Sequence, residues 1–178
     1  MGTLLATLTL ARLGHATTAR AVSFKNLVAR STRILHATPL EGSSRFEDIG
    51  DARHIVTYSR LRVDEPIYCA SGASGESEIL VRTLGGRVGK LGEIAHGEAQ
   101  LALNEHCVVF LQANADGIEQ VTEMAQGHYP LLSDASGALR LQASHNMPHL
   151  LPNADAAVVR LSGMKFTEAR ELILGARP

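Results

Sequence analysis

Hydrophobic and polar residues alternate along much of this chain, with a period of two far more often than 3.6. Between His54 and Tyr68, Ile55, Thr57, Ser59, Leu61 and Val63 fall on one side and Val56, Tyr58, Arg60 and Arg62 on the other. This alternation predicts an extended strand whose first side faces a core. Pro66 marks its far end as an edge or an exit. Ile79, Val81 and Thr83 repeat the pattern in a strand over Glu78–Thr83. The apolar run Cys107–Leu111 predicts a strand over Glu105–Leu111, joined to a strand over Glu98–Ala102 by a tight Leu103-Asn104 connection.

Turn chemistry separates these segments. Asp116-Gly117 supplies the positive φ that a hairpin turn requires, and Gln120–Ala125 is its return strand. His128–Leu132 and Ala138–Gln142 form a second pair around Asp134–Gly137. Arg33–Leu40 reads as the first strand, while Glu41–Ser44 and Asp48–Ala52 read as polar turns. Leu84–Gly92 is too glycine-rich for a regular strand and predicts a bend or bulge. Ser71–Ser77 is a loop of small residues.

Helical spacing is confined to the two ends. Ser23 can cap a helix in which Phe24, Leu27 and Val28 form one apolar stripe, ending near Ser31. Ser144–Pro152 reads as a loop, and Ala156–Leu161 as a short strand or packing segment. Thr167 caps a terminal helix over Glu168–Gly175, with Leu172 and Ile173 turned inward. The elements predict a mainly β domain: a small closed antiparallel barrel of seven or eight short, meander-connected strands, with a helix before and after it. The expected organisation is a leader over residues 1–21, the barrel over 22–143, and a loop plus helix over 144–178.

Charge changes the picture by exclusion. Seventeen basic and eighteen acidic side chains give a net charge of −1, so nothing draws the chain toward nucleic acid. Trp is absent and aromatic residues are few, which argues against a base-stacking platform. No apolar run is long enough for a membrane span, so no stable membrane insertion is expected. Leu4–Leu10 is apolar and Ala19-Arg20-Ala21 has the small-x-small form of a signal-peptidase site, although Met1-Gly2-Thr3 lacks a basic n-region. The leader reading makes the protein periplasmic or extracellular; the alternative is a frayed amphipathic N-terminal helix. The two cysteines, Cys69 and Cys107, contain no metal-type spacing. Cys107 reads as a small buried hydrophobe, and a Cys69–Cys107 bridge stays open for an oxidising compartment.

Catalytic patterns are missing. The glycines of Gly85–Gly92 lack the Lys-Ser/Thr ending and following helix of a phosphate loop. His145 and His149 are separated by Pro148, which disfavours the helix that would align them on a metal. No Gly-x-Ser-x-Gly elbow occurs. Within a strand the neighbours His106 and Cys107, and likewise Asp64 and Glu65, should face opposite sides. The residue types therefore predict no catalytic set, no metal ligands and no cofactor. Arg82, Arg87, His128 and Tyr129 are the candidate partner contacts, because Arg and Tyr dominate binding hot spots. The loops Ser71–Ser77, Arg87–His96 and His128–Pro130 would carry them.

Several segments resemble a group of small exported bacterial proteins. "FKNLVARSTRILHATPL" at Phe24–Leu40 resembles their opening helix and strand, and "IVTYSRLRVDEPI" at Ile55–Ile67 resembles their long strand. "RTLGGRVGKLG" at Arg82–Gly92 is the nearest match. "GEAQLALNEHCVVF" at Gly97–Phe110 and "MAQGHYP" at Met124–Pro130 complete a likeness over roughly residues 22–133. At fold level the same order looks like the netrin-like, OB-type barrel of tissue metalloproteinase inhibitors. The resemblance implies an OB-like barrel and brings no catalytic residues. It departs from the inhibitors in having no cysteine at Val22-Ser23, the expected mature start. The first functional reading is an exported, non-enzymatic module that binds a protein or cell-surface partner. The alternatives are a companion of a secreted metalloprotease and a hydrolase built from loop His and Ser residues.

Overall fold

A computed structural model describes residues 18–70 and 75–176. Its elements run β1 (Thr18–Ala19), α1 (Phe24–Arg30), β2 (Arg33–Ile49), β3 (Ala52–Cys69), β4 (Glu78–Leu84), β5 (Gly86–Val88) and β6 (Leu91–Glu93). They continue with β7 (Cys107–Ala113), β8 (Glu119–Val121), a 3-10 turn at Met124–Gly127, β9 (His128–Ser133), β10 (Leu139–Leu141), β11 (His149–Leu150), α2 (Ala157–Leu161) and α3 (Phe166–Gly175). The fold is mainly β and centres on a seven-stranded sheet in the order β10-β9-β7-β2-β3-β4-β8. β8 has two partners. It runs parallel to β4 through Val81↔Glu119 and antiparallel to β7 through Leu111↔Val121. No helix among the described residues is long and apolar enough to cross a membrane.

Two cores lie on the two faces of this sheet. One gathers Leu35, Ala37, Leu61, Val81, Val109 and Leu111. The other packs Ile34, Val108, Phe110 and Tyr129 against Leu27 of α1 and Ile173 of α3. β7 feeds both, with Cys107, Val109 and Leu111 on one side and Val108 and Phe110 on the other. This double burial explains why Cys107–Leu111 is apolar without alternation. Single-sided strands keep the alternation: in β4, Ile79, Val81 and Thr83 are buried while Glu78, Leu80 and Leu84 are exposed.

The Ser23 cap forms as the sequence predicts, its hydroxyl accepting from the Asn26 amide at 3.3 Å. So do the strand over His54–Tyr68, the turn at Asn114–Gly117 and the β9–β10 pair. Other expectations need correction. Glu41–Ser44 is not a turn, because cross-strand contacts outweigh its turn chemistry. Glu41 accepts from Arg60, and the Ser44 hydroxyl lies 2.9 Å from that of Thr57, so β2 runs on to Ile49. The reversal falls at Gly50, whose φ is +61°. Glu98–Ala102 lies outside the sheet. Its fixing bonds come from the Asn146 amide, which donates to the carbonyls of Ala95 and Glu98. The return strand after the Asn114 turn stops at Val121. Leu84–Gly92 bends at Gly85 but then forms its own hairpin, β5–β6. Ala157 and Leu161 are buried one helical turn apart, so Ala156–Leu161 is helix rather than strand. The terminal helix starts at Phe166, with Lys165 at its N-cap position making no side-chain cap, so Thr167 lies inside the first turn.

The cysteines are both free. Cys69 pairs with Arg33 and Cys107 with Ala37, on opposite sides of β2. Four residues along a strand is about 13 Å, beyond the roughly 7 Å between Cα atoms that a disulfide spans. The leader expected over residues 1–21 lies outside the described residues up to residue 17. Thr18–Ala19 pairs in parallel with His149–Leu150.

Candidate functional site

A cleft of about 440 Å³ opens where β3 and β4 meet the segment from Glu93 to Ala102. Its floor is polar for a reason of register. Thr57 and Ser59 lie on the same face of β3 as Leu61, and Thr83 lies on the same face of β4 as Val81. The apolar core ends at Leu61 and Val81, and hydroxyls continue that face into the cleft. Thr57 donates to the Gly85 carbonyl at 2.7 Å. Gly86 makes this approach practicable. Its φ is +136°, and a Cβ there would sit under 3.0 Å from the hydroxyls of Thr57 and Ser44.

Glu98 closes the inner end of the cleft and is only 8% exposed. Its carboxylate accepts from the Ala99 amide at 3.0 Å and the Leu84 amide at 3.3 Å. Burial pushes its pKa above the ordinary glutamate value, with the two amides opposing that shift. The outer rim is apolar: Leu84 is 38% exposed and Ile94 is 76% exposed. Glu93 anchors the rim hairpin to the long β2–β3 arm. It accepts from the Ile55 amide at 2.6 Å and meets His54 Nδ1 at 2.7 Å.

The four predicted contact residues separate. Arg87 is exposed on β5, with its Nε donating to the Gly89 carbonyl at 3.1 Å. Arg82 is held in a half-buried ion pair with Glu47 at 3.1 Å, and Glu47 also accepts from the Tyr58 hydroxyl. His128 and Tyr129 are 1% and 0% exposed, so neither has side-chain surface to offer a partner. The His128 ring meets the Ser144 hydroxyl at 3.0 Å, but both are buried and neither lines the cleft. Of the predicted loops, Arg87–His96 contributes Glu93, Ile94 and Ala95 to the cleft. His128–Pro130 is interior, and Ser71–Ser74 lies outside the described residues.

A second cluster escaped the sequence reading. His36 on β2, Asp64 on β3 and His106 just before β7 meet on the face that carries the helices. A β-bulge creates the meeting. His36 pairs with Glu65 and Ala37 with Val63, leaving Asp64 as the extra residue. The alternation expected for Asp64 and Glu65 therefore fails, as it does at bulges generally. Asp64 turns to the two histidines, while Glu65 accepts from Arg170 of α3 at 2.5 Å. Phe166, also on α3, packs its ring against that of His36, with centroids 4.9 Å apart and the planes tilted by 54°. Burial holds the His36 pKa below the usual histidine value, against the pull of Asp64. Burial pushes the Asp64 carboxyl up, but the Thr38 hydroxyl and Arg62 outweigh it and hold it below its ordinary value. Neither histidine lies in a recognisable motif. The only trace in the sequence is that His36 and Thr38 follow Ile34 on one face of β2. Comparisons with protein-family models, with curated proteins and with solved structures returned no match.

Proposed function

We propose that this chain is an exported, non-enzymatic binding module whose sheet closes into an OB-like barrel and whose cleft receives a segment of a protein partner. The closure is supported by the pairing circuit β7-β2-β3-β4-β8-β7, in which β8 bridges the two ends by bonding to β4 and β7. Its parallel β4–β8 contact joins the β2-β3-β4 meander to the β7–β8 hairpin, whose other strand already pairs with β2. A closed circuit leaves few free strand edges and so presents its openings and loops for recognition.

The observation that carries the binding reading is the cleft itself. Hydrogen-bonding groups from Thr57, Ser59 and Glu98 lie below a rim where Leu84 and Ile94 face solvent. A concave site with apolar walls and a few fixed polar groups is the usual form of a recognition surface. The partner's apolar side chain would cover Ile94, and its backbone would meet the polar floor. Arg87, exposed on the same hairpin, supplies a charged margin.

Retention of a partner from extracts of the native host tests the reading. Ile94→Asp combined with Leu84→Asp should abolish it. Val159→Asp, at a residue 66% exposed on α2, should leave it intact. Equal retention by all three proteins would refute the cleft as the binding face.

A further inference from the structure

His36, Asp64 and His106 bring one donor atom each within 4.8 Å of one another. His36 Nε2 and His106 Nδ1 are 3.3 Å apart, His106 Nδ1 and Asp64 Oδ2 are 3.4 Å apart, and His36 Nε2 and Asp64 Oδ2 are 3.9 Å apart. We propose that these three atoms form a tetrahedral site for one divalent ion of the zinc class, with water as the fourth ligand. The site is separate from the cleft and does not depend on the binding reading.

The separations select the geometry. Zinc bonds to imidazole nitrogen and carboxylate oxygen at about 2.0–2.1 Å, which sets tetrahedral ligand atoms about 3.3–3.4 Å apart. Octahedral coordination at the same bond lengths would need neighbouring ligands about 2.9 Å apart. Two of the three observed distances already have the tetrahedral value, and the third needs to close by about 0.5 Å. The donor set selects the ion. Two imidazoles and one carboxylate suit a borderline ion, whereas calcium and magnesium call for oxygen ligands throughout.

The ligands are held by groups that do not themselves bind the ion. The β2–β3 bulge fixes the backbones of His36 and Asp64, and the His106 carbonyl accepts from the Leu131 amide at 2.8 Å. Arg62 Nε donates to Asp64 Oδ1 at 2.7 Å, which leaves Oδ2 turned toward the histidines. The Thr38 hydroxyl donates to Oδ2 at 2.5 Å and lies 3.1 Å from His106 Nδ1, placed to hold either the carboxylate or an ion-bound water. Phe166 fixes the His36 ring from the α3 side. Such outer groups orient metal ligands and raise affinity. The His106 side chain is 48% exposed, against 14% for His36 and 16% for Asp64, so the ion enters and keeps its water on the His106 side. The Arg62 charge opposes the cation and keeps the affinity below that of a closed four-ligand structural site.

The test uses the whole chain, stripped with a chelator and titrated first with Co²⁺ and then with Zn²⁺. One equivalent of cobalt should give the intense visible bands of tetrahedral coordination, and one equivalent of zinc should abolish them. His106→Ala and Asp64→Asn, each checked for folding by circular dichroism, should each weaken zinc binding about tenfold or more. His96→Ala and His145→Ala should leave it unchanged. A pale six-coordinate cobalt spectrum, no binding at one equivalent, or binding that survives both His106→Ala and Asp64→Asn would overturn the assignment.

Discussion

His128 makes the stability of this fold depend on pH in a calculable way. The ring is 1% exposed, and burial lowers its pKa from 6.5 to about 4, with the nearby His145 adding to the effect. The folded state therefore disfavours the protonated ring that the unfolded chain accepts. Stability from this group is full above pH 6.5 and is lost as the pH falls toward 4. Each pKa unit is worth about 1.36 kcal/mol, so the whole span carries about 3 kcal/mol. Between pH 7 and pH 4.5 the loss assigned to this one ring is about 2 kcal/mol. His128→Gln retains a polar group beside Ser144 and cannot take up the proton. Urea unfolding of both proteins at pH 7 and pH 4.5 isolates the ring together with its coupling to His145, because contributions of groups that do not interact with His128 cancel in the double difference. The wild type should lose about 2 kcal/mol more than the variant over that interval. Equal losses in the two proteins would refute the claim that the buried ring stays neutral.

Two further outcomes follow from the packing. Cys107 is fully buried and its pKa is pushed up to about 12, whereas Cys69 is half-buried. A thiol reagent should therefore label Cys69 in the folded protein and reach Cys107 only after denaturation, with mass spectrometry showing two free thiols; a Cys69–Cys107 cross-link would contradict the β2 register. A Cβ at Gly127 would fall under 3.0 Å from the Thr122 carbonyl oxygen, which is backbone and cannot swing aside. Gly127→Ala should cost several kcal/mol in chemical denaturation, about the upper range for single substitutions, and a loss under about 1 kcal/mol would show that the 3-10 turn can shift.

Sequence legibility followed the kind of interaction that decided each element. The α1 cap, the Asn114 turn and the β9–β10 pair rest on contacts within a few residues, and all were readable. So was the period-two face of β3 from Ile55 to Val63, because that strand meets a core on a single side over most of its length. Glu41–Ser44 was misread because its own residues favour a turn while Thr57 and Arg60, thirteen or more residues away, hold it extended. Glu98–Ala102 was misread because Asn146 determines its backbone from forty-eight residues away. The cleft was legible only as the stretch Arg87–His96, since its floor is assembled from three separate segments. His128 and Tyr129 look like surface groups by residue type, yet β9 places both indoors. The His36–Asp64–His106 cluster was invisible for a sharper reason. Strict alternation turns Asp64 away from His36, and one inserted residue in the ladder reverses that.

β7 stands as a party wall between two interiors. A methyl group removed from Val108 loosens the helical side, one removed from Val109 loosens the other, and the two residues share a peptide bond. Neither compartment can come apart while its neighbour stays intact, so the molecule should lose its order in one step rather than in halves.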